Sequence, residues 1–145
     1  MEQSKTELDL NQVRVLVVED VVDSREIITI YLEQIGATVK AVSNAAEALQ
    51  AIENFQPSLL ISDIYMPERD GFWLIERLRN LQPKSLSTIP AIAVTAAARD
   101  SDRDSILAAG YDVYISKPFI FSNLAYSIEL ALSKQQNPTD CIGKK

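Results

Sequence analysis

Val13-Arg14-Val15-Leu16-Val17-Val18-Glu19-Asp20 is a short aliphatic run, largely β-branched, that stops abruptly at two acids. Only Arg14 interrupts it, so it reads as a strand buried on both faces, as in a parallel sheet. Beyond Asp20 the period changes. Ile27, Ile28, Tyr31, Leu32 and Ile35 form one stripe at helical spacing, with Asp23 and Glu26 as a capping pair at its start and Gly36 at its end. Thr38 to Val42 returns to a strand. Ala45, Ala48, Leu49 and Ile52 make the next stripe, behind an Asn44/Glu47 capping pair.

The alternation continues to the end of the patterned region. Leu59-Leu60-Ile61-Ser62 is a third strand, and Leu74, Ile75, Leu78 and Leu81 mark a third helix. Ile89-Pro90-Ala91-Ile92-Ala93-Val94 is a fourth strand with its proline near the start, where one is tolerated. A weaker helix is expected from about Ser101 to Ala109, entered through the solvated run Arg99 to Asp104 and stopped by Gly110. Val113-Tyr114-Ile115 is a short fifth strand. Leu124, Ile128, Ala131 and Leu132 lie on one face of a last helix. Strict strand–helix alternation predicts an α/β fold: one doubly wound, five-stranded parallel sheet with helices on both faces. Residues 1–12 and 135–145 are polar and unpatterned, and are expected as flexible tails around a single domain over 13–134.

Composition narrows the chemistry. Among 145 residues there is no histidine, so Ser-His-Asp and Cys-His catalysis, His-ligated metals and a His phosphoryl carrier are absent from this chain. The single cysteine, Cys141, can form neither an internal disulfide nor a CxxC site. A net charge of −6 argues against a nucleic-acid backbone as partner. No apolar run approaches the ~18 residues of a membrane span, and no basic region precedes an apolar stretch at the start. A cytoplasmic protein that binds neither nucleic acid nor membrane is the expectation.

Open parallel sheets bind ligands at the carboxyl ends of their strands. There the first strand ends in Glu19-Asp20, the third in Asp63, the fourth in Thr95, and the fifth runs through Ser116 into Lys117. Three carboxylates at one rim repel one another unless a cation stands among them. Mg²⁺ answers this, because it prefers oxygen ligands and commonly shares its site with a phosphate. A carboxylate so screened, beside a lysine, can attack phosphorus and form an acyl phosphate. Lys117 would neutralise one phosphoryl oxygen and Thr95 would donate to another.

Taken together, Glu19-Asp20 after an apolar strand, Asp63 followed by Met66-Pro67 and Asp70-Gly71, Thr95, and Tyr114 before Lys117-Pro118-Phe119 resemble the receiver domain of two-component response regulators. The resemblance covers roughly Val13 to Lys134. It implies the flavodoxin-like strand order 2-1-3-4-5. It further implies that Asp63 is the phosphoacceptor, that Asp20 and Asp63 bind Mg²⁺ directly, and that Glu19 acts through a metal-bound water. The backbone carbonyl of Tyr65 would complete the protein's ligands, and Lys117 would hold the phosphoryl group. Thr95 and Tyr114 would be the switch pair, and the Lys117–Pro118 bond would be cis. Expected partners are a histidine kinase or phosphotransfer protein as donor, and a downstream protein reached through the face of the fourth helix, fifth strand and fifth helix. Monomer and dimer are both compatible with the resemblance. Enzymatic activity would be limited to self-phosphorylation and autodephosphorylation, and with so little chain after Lys134 the signal would leave by protein contact, unless the chain is a fragment of a longer one such as a hybrid histidine kinase.

Three departures from the family pattern stand out. Tyr65 occupies a position two residues after Asp63 that is often small and polar, and is expected to slow loss of the phosphoryl group. Ala96-Ala97-Ala98 after Thr95 offers no polar side chain to assist hydrolysis. Tyr111 and Val113 replace residues that are often small and acidic, respectively. A haloacid-dehalogenase-like phosphatase uses similar residue types. It carries its nucleophile after the first strand, however, with a second aspartate two residues on, and neither feature is present. A phosphorylation-independent binding module with this fold is the other alternative, opposed by the intact five-part site.

Overall fold

The computed structural model describes residues 8–96 and 100–136. Five strands, β1 (Arg14–Val18), β2 (Thr38–Val42), β3 (Leu59–Asp63), β4 (Ala91–Thr95) and β5 (Val113–Ser116), form one parallel sheet in the order β2-β1-β3-β4-β5. Between and after them run α1 (Val22–Gln34), α2 (Ala45–Phe55), α3 (Gly71–Arg79), α4 (Lys84–Ser87), α5 (Asp100–Ala109) and α6 (Phe121–Gln136). The observed arrangement is the doubly wound, flavodoxin-like one that strand–helix alternation and the family resemblance predict.

Alternation along the strands divides the core in two. Leu16, Val18, Leu60, Ala91 and Ala93 point to the face covered by α2, α3 and α5. Val15, Val17, Leu59, Ile61, Ile92 and Val94 point to the face covered by α1 and α6. The central strands β3 and β4 are buried along their whole length, whereas β2, at an edge, alternates towards solvent. Register then aligns the functional rim: Asp63 lies opposite Val94, and Thr95 opposite Ser116.

Local chemistry moved several boundaries. β4 begins at Ala91 rather than Ile89, because Pro90 has no N–H to give the ladder; its carbonyl still accepts from Leu60. The Asn44 side chain caps α2 by accepting from the Glu47 N–H, as expected. Asp23 does not cap α1: that helix starts at Val22, with Val21 at the cap, and Asp23 lies in its first turn. α5 starts at Asp100, so the expected start near Ser101 holds and most of the run expected as its solvated entry is already helical. The one-turn α4, which follows a cis Gln82–Pro83 bond, had no counterpart in the sequence pattern. The amino-terminal segment expected as a tail is part of the core at Leu10, which is 0% exposed and whose N–H bonds to the Ile35 carbonyl.

At the rim opposite the site, Arg79 ends α3 and gathers several backbone carbonyls. It donates to Ser87 and Ile89 at 3.0 and 2.6 Å and to Gly110 at 2.7 Å, and it pairs with Asp112 at 3.1 Å. Asp112 in turn accepts the Ala91 N–H at 2.8 Å, so the amino ends of β4 and β5 are tied to the carboxyl end of α3.

Candidate functional site

Each site residue stands where a strand gives way to a loop. β1 delivers Glu19 and Asp20, β3 ends on Asp63, β4 ends on Thr95, and β5 leads into Lys117 through Ser116. The Lys117 N–H bonds to the Thr95 carbonyl at 2.8 Å, and the Lys117–Pro118 bond is cis. Glu19, Asp20 and Asp63 each offer an oxygen within 4.8 Å of the others.

Glu19 is 2% exposed and Asp63 7%, so their charges need a partner inside the protein. Lys117 supplies it. Its Nζ lies 2.9 Å from Glu19 Oε1 and 3.1 Å from Asp63 Oδ2. The remaining oxygens are oriented by backbone: Asp63 Oδ1 accepts the Ile64 N–H at 2.7 Å, and Glu19 Oε2 accepts the Val21 N–H at 3.1 Å. α1 has no side-chain cap of its own; its cap residue, Val21, instead gives its N–H to Glu19. Arg25 closes the same turn by donating to the Glu19 carbonyl at 2.8 Å.

Burial raises the Glu19 pKa above the ordinary carboxylate value against the opposing hydrogen bonds of Lys117 and Val21, and the Asp63 charge adds to the rise. Burial alone would lower that of Lys117. The hydrogen bond to Glu19 and the charges of Asp63 and Glu19 outweigh it and hold the ammonium above a free lysine. One ammonium among three carboxylates leaves the rim negative. An all-oxygen donor set with surplus negative charge fits a hard divalent cation.

Glu19, Asp20, Asp63 and Lys117 thus come together. Thr95 is fully buried (0% exposed), and Tyr114 is partly buried against the core on the α2, α3 and α5 side. Tyr65 stands half exposed with its ring edge-on to Phe72, centroids 6.4 Å apart. Ala97 and Ala98 lie outside the described residues. Sequence reasoning passed over Ser62, whose hydroxyl donates to the Asp63 carbonyl at 2.7 Å, and saw Gly71 only as half of a motif. A serine inside an otherwise aliphatic strand was the available signal.

The sequence profile of the response regulator receiver domain matches residues 15–129. The chain belongs to that family. An uncharacterized 14.6 kDa protein of Leptolyngbya boryana is 49% identical to this receiver over 109 residues, covering 75% of this chain and 82% of that one. Response regulator Rre1 of Synechocystis is 32% identical, covering 88% of this chain and 55% of its own. The crystal structure of a CheY-like response regulator receiver domain protein from Methanospirillum hungatei superposes with a TM-score of 0.78 at 31% identity, covering 87% of this chain and 98% of that one. The receiver spans about half the length of several curated relatives. As a receiver it is a two-component signalling domain, a class paired with histidine kinases and generally not enzymatic. No helix among the described residues is long and apolar enough to cross a membrane.

Proposed function

We propose that this receiver accepts a phosphoryl group on Asp63 and converts the modification into a change of protein-binding surface. The observation that carries this reading is the Lys117 ammonium held between Glu19 and Asp63 at the carboxyl rim of the sheet. Asp20, Asp63 and the Tyr65 carbonyl would hold Mg²⁺, with Glu19 acting through a water. That ion, when bound, offsets the negative charge of carboxylates and phosphoryl oxygens together. A carboxylate oxygen of Asp63 attacks phosphorus and the donor's P–N bond breaks, its electron pair staying with the imidazole nitrogen. Having no histidine, the chain takes the group from a histidine kinase or phosphotransfer protein. Lys117 exchanges its contact with Asp63 for one with a phosphoryl oxygen, and Thr95 donates to another.

A groove of about 710 Å³ beside the site supports docking of that donor. It is lined by Ile27 and Ile28 of α1 and by Pro118 to Phe121, with Lys117 at its end. Movement of Thr95 and Tyr114 would be read on the face of α5, β5 and α6, which is the expected face of fourth helix, fifth strand and fifth helix once the short α4 is counted. There Leu107 and Tyr126 are exposed. A cytoplasmic setting, and a downstream protein or second receiver as the occupant of that face, belong to the same proposal.

Intact-protein mass after incubation with acetyl phosphate tests it. One Mg²⁺-dependent phosphoryl adduct is expected, absent in Asp63→Asn. No adduct under any condition would leave a receiver fold that binds without being phosphorylated.

A further inference from the structure

Tyr111 takes no part in the phosphoryl chemistry, yet it is wired to it. The residue stands at the junction of α5 and β5 and is 3% exposed. Its hydroxyl donates to the carbonyl of Gly71, the first residue of α3, at 2.9 Å. A phenol in an apolar core needs such a partner, but the partner here is specific. Gly71 is where the turn leaving Asp63 becomes a helix.

Gly71 is held equally tightly from its other side. Its N–H bonds to the Ile64 carbonyl at 2.7 Å. A Cβ on it would lie 2.8 Å from the Asp63 carbonyl oxygen and 2.9 Å from the Ile64 Cα. The Asp63 carbonyl also accepts the Ser62 hydroxyl, at 2.7 Å. Ile64 closes the circuit, because its N–H is the one that orients Asp63 Oδ1. Backbone contacts this close transmit a shift of the Gly71 peptide to Ile64, and from Ile64 to the carboxylate.

We infer that Tyr111 is a positioning residue for Asp63. Through the Gly71 carbonyl it fixes the seat of the 64–70 turn on β3, and with it the orientation of the Asp63 carboxylate. Because Tyr111 also belongs to the α5–β5 junction, it links that junction to Asp63 by a route separate from Thr95. The inference rests on Asp63 being the phosphoacceptor.

Tyr111→Phe keeps the ring and removes only the hydroxyl, so it tests the bond with the core volume preserved. Two readouts on the full chain separate positioning from bulk stability. The first is the dependence of Asp63 phosphorylation on acetyl phosphate concentration. The limiting rate is expected to fall about fivefold, the scale of one hydrogen bond, with the half-saturating concentration unchanged. The second, measured without any phosphodonor, is amide hydrogen exchange: Ile64 and Gly71 should lose protection while β1 keeps it. Equal limiting rates with unchanged protection at Ile64 and Gly71 would overturn the inference. So would protection lost evenly over β1, β3 and β4, because the effect would then be global. Should wild type form no adduct at Asp63, the proposed function fails instead, and the positioning role toward a phosphoacceptor falls with it.

Discussion

Tyr65 and Tyr111 are two of this receiver's departures from the family pattern. The Tyr65 ring, half exposed and edge-on to Phe72, stands two residues beyond Asp63, and we propose that it shields an acyl phosphate there from water. Tyr65→Asn is expected to speed loss of the phosphoryl group roughly tenfold, equivalent to about 1.4 kcal/mol of barrier. Decay of the phosphorylated mass after removal of the donor checks this. Tyr111 carries a pH prediction. Burial raises its pKa well above that of a free tyrosine against the smaller effects of Ser62 and Arg79, with Asp70 and Asp63 adding to the rise. The unfolded chain releases that proton near pH 10, so the native preference for the neutral phenol is complete below that pH and is lost as pH climbs beyond it. Wild-type stability relative to Tyr111→Phe should therefore fall by up to about 1.4 kcal/mol per unit above pH 10, read from urea unfolding at a series of pH values. At this scale the site was legible because its residues end strands. Asp63, Glu19 and Lys117 were readable from position alone. The Tyr111 hydroxyl was not, because the carbonyl it meets lies 40 residues away, and nothing local in the sequence announces a bond to a backbone atom.

Helix starts were the least legible elements, for a physical reason. The Asn44 cap of α2 uses its own side chain, so it showed in the sequence. α1 is entered through Glu19, a residue already engaged by Lys117, and no local pattern of capping residues marks such an arrangement. α4 has a single turn and no repeat for a hydrophobic period to reveal. Its order comes from Arg79, which takes up the carbonyls of Ser87 and Ile89. Arg79→Met keeps the apolar stem but strips those carbonyls, and Asp112, of their donor. A loss of about 2 kcal/mol or more is expected, since each unsatisfied buried acceptor costs about 1–3 kcal/mol. Urea unfolding measures it, with earlier exchange of the Leu86 to Ile89 and Ala91 amides as the local signature.

For the whole molecule, strand–helix alternation made topology almost inevitable, and the strand order followed from the family resemblance. The amino-terminal boundary was missed because one apolar residue, Leu10, among polar neighbours leaves no periodic trace, although it docks on the α1 and α6 side of the core. The groove between α1 and the 118–121 segment belongs to this scale too, since its walls come from opposite ends of the chain. Ile27 is more than half exposed there, so Ile27→Asp should barely alter stability. It should slow phosphotransfer from the cognate kinase by roughly 30-fold, the equivalent of about 2 kcal/mol at an apolar interface, while acetyl phosphate still modifies Asp63 at the wild-type rate. Equal slowing with both donors would place the defect in the site rather than in docking. The Arg79–Asp112 knot has a mechanical meaning as well. It fastens the amino ends of β4 and β5 at the rim farthest from Asp63 and leaves their other ends to carry Thr95, Ser116 and Lys117. Ladder pairs run on from that knot to Val94–Ile115 and Thr95–Ser116, so β4 and β5 answer a displacement at the Asp63 rim as one unit anchored at its far end.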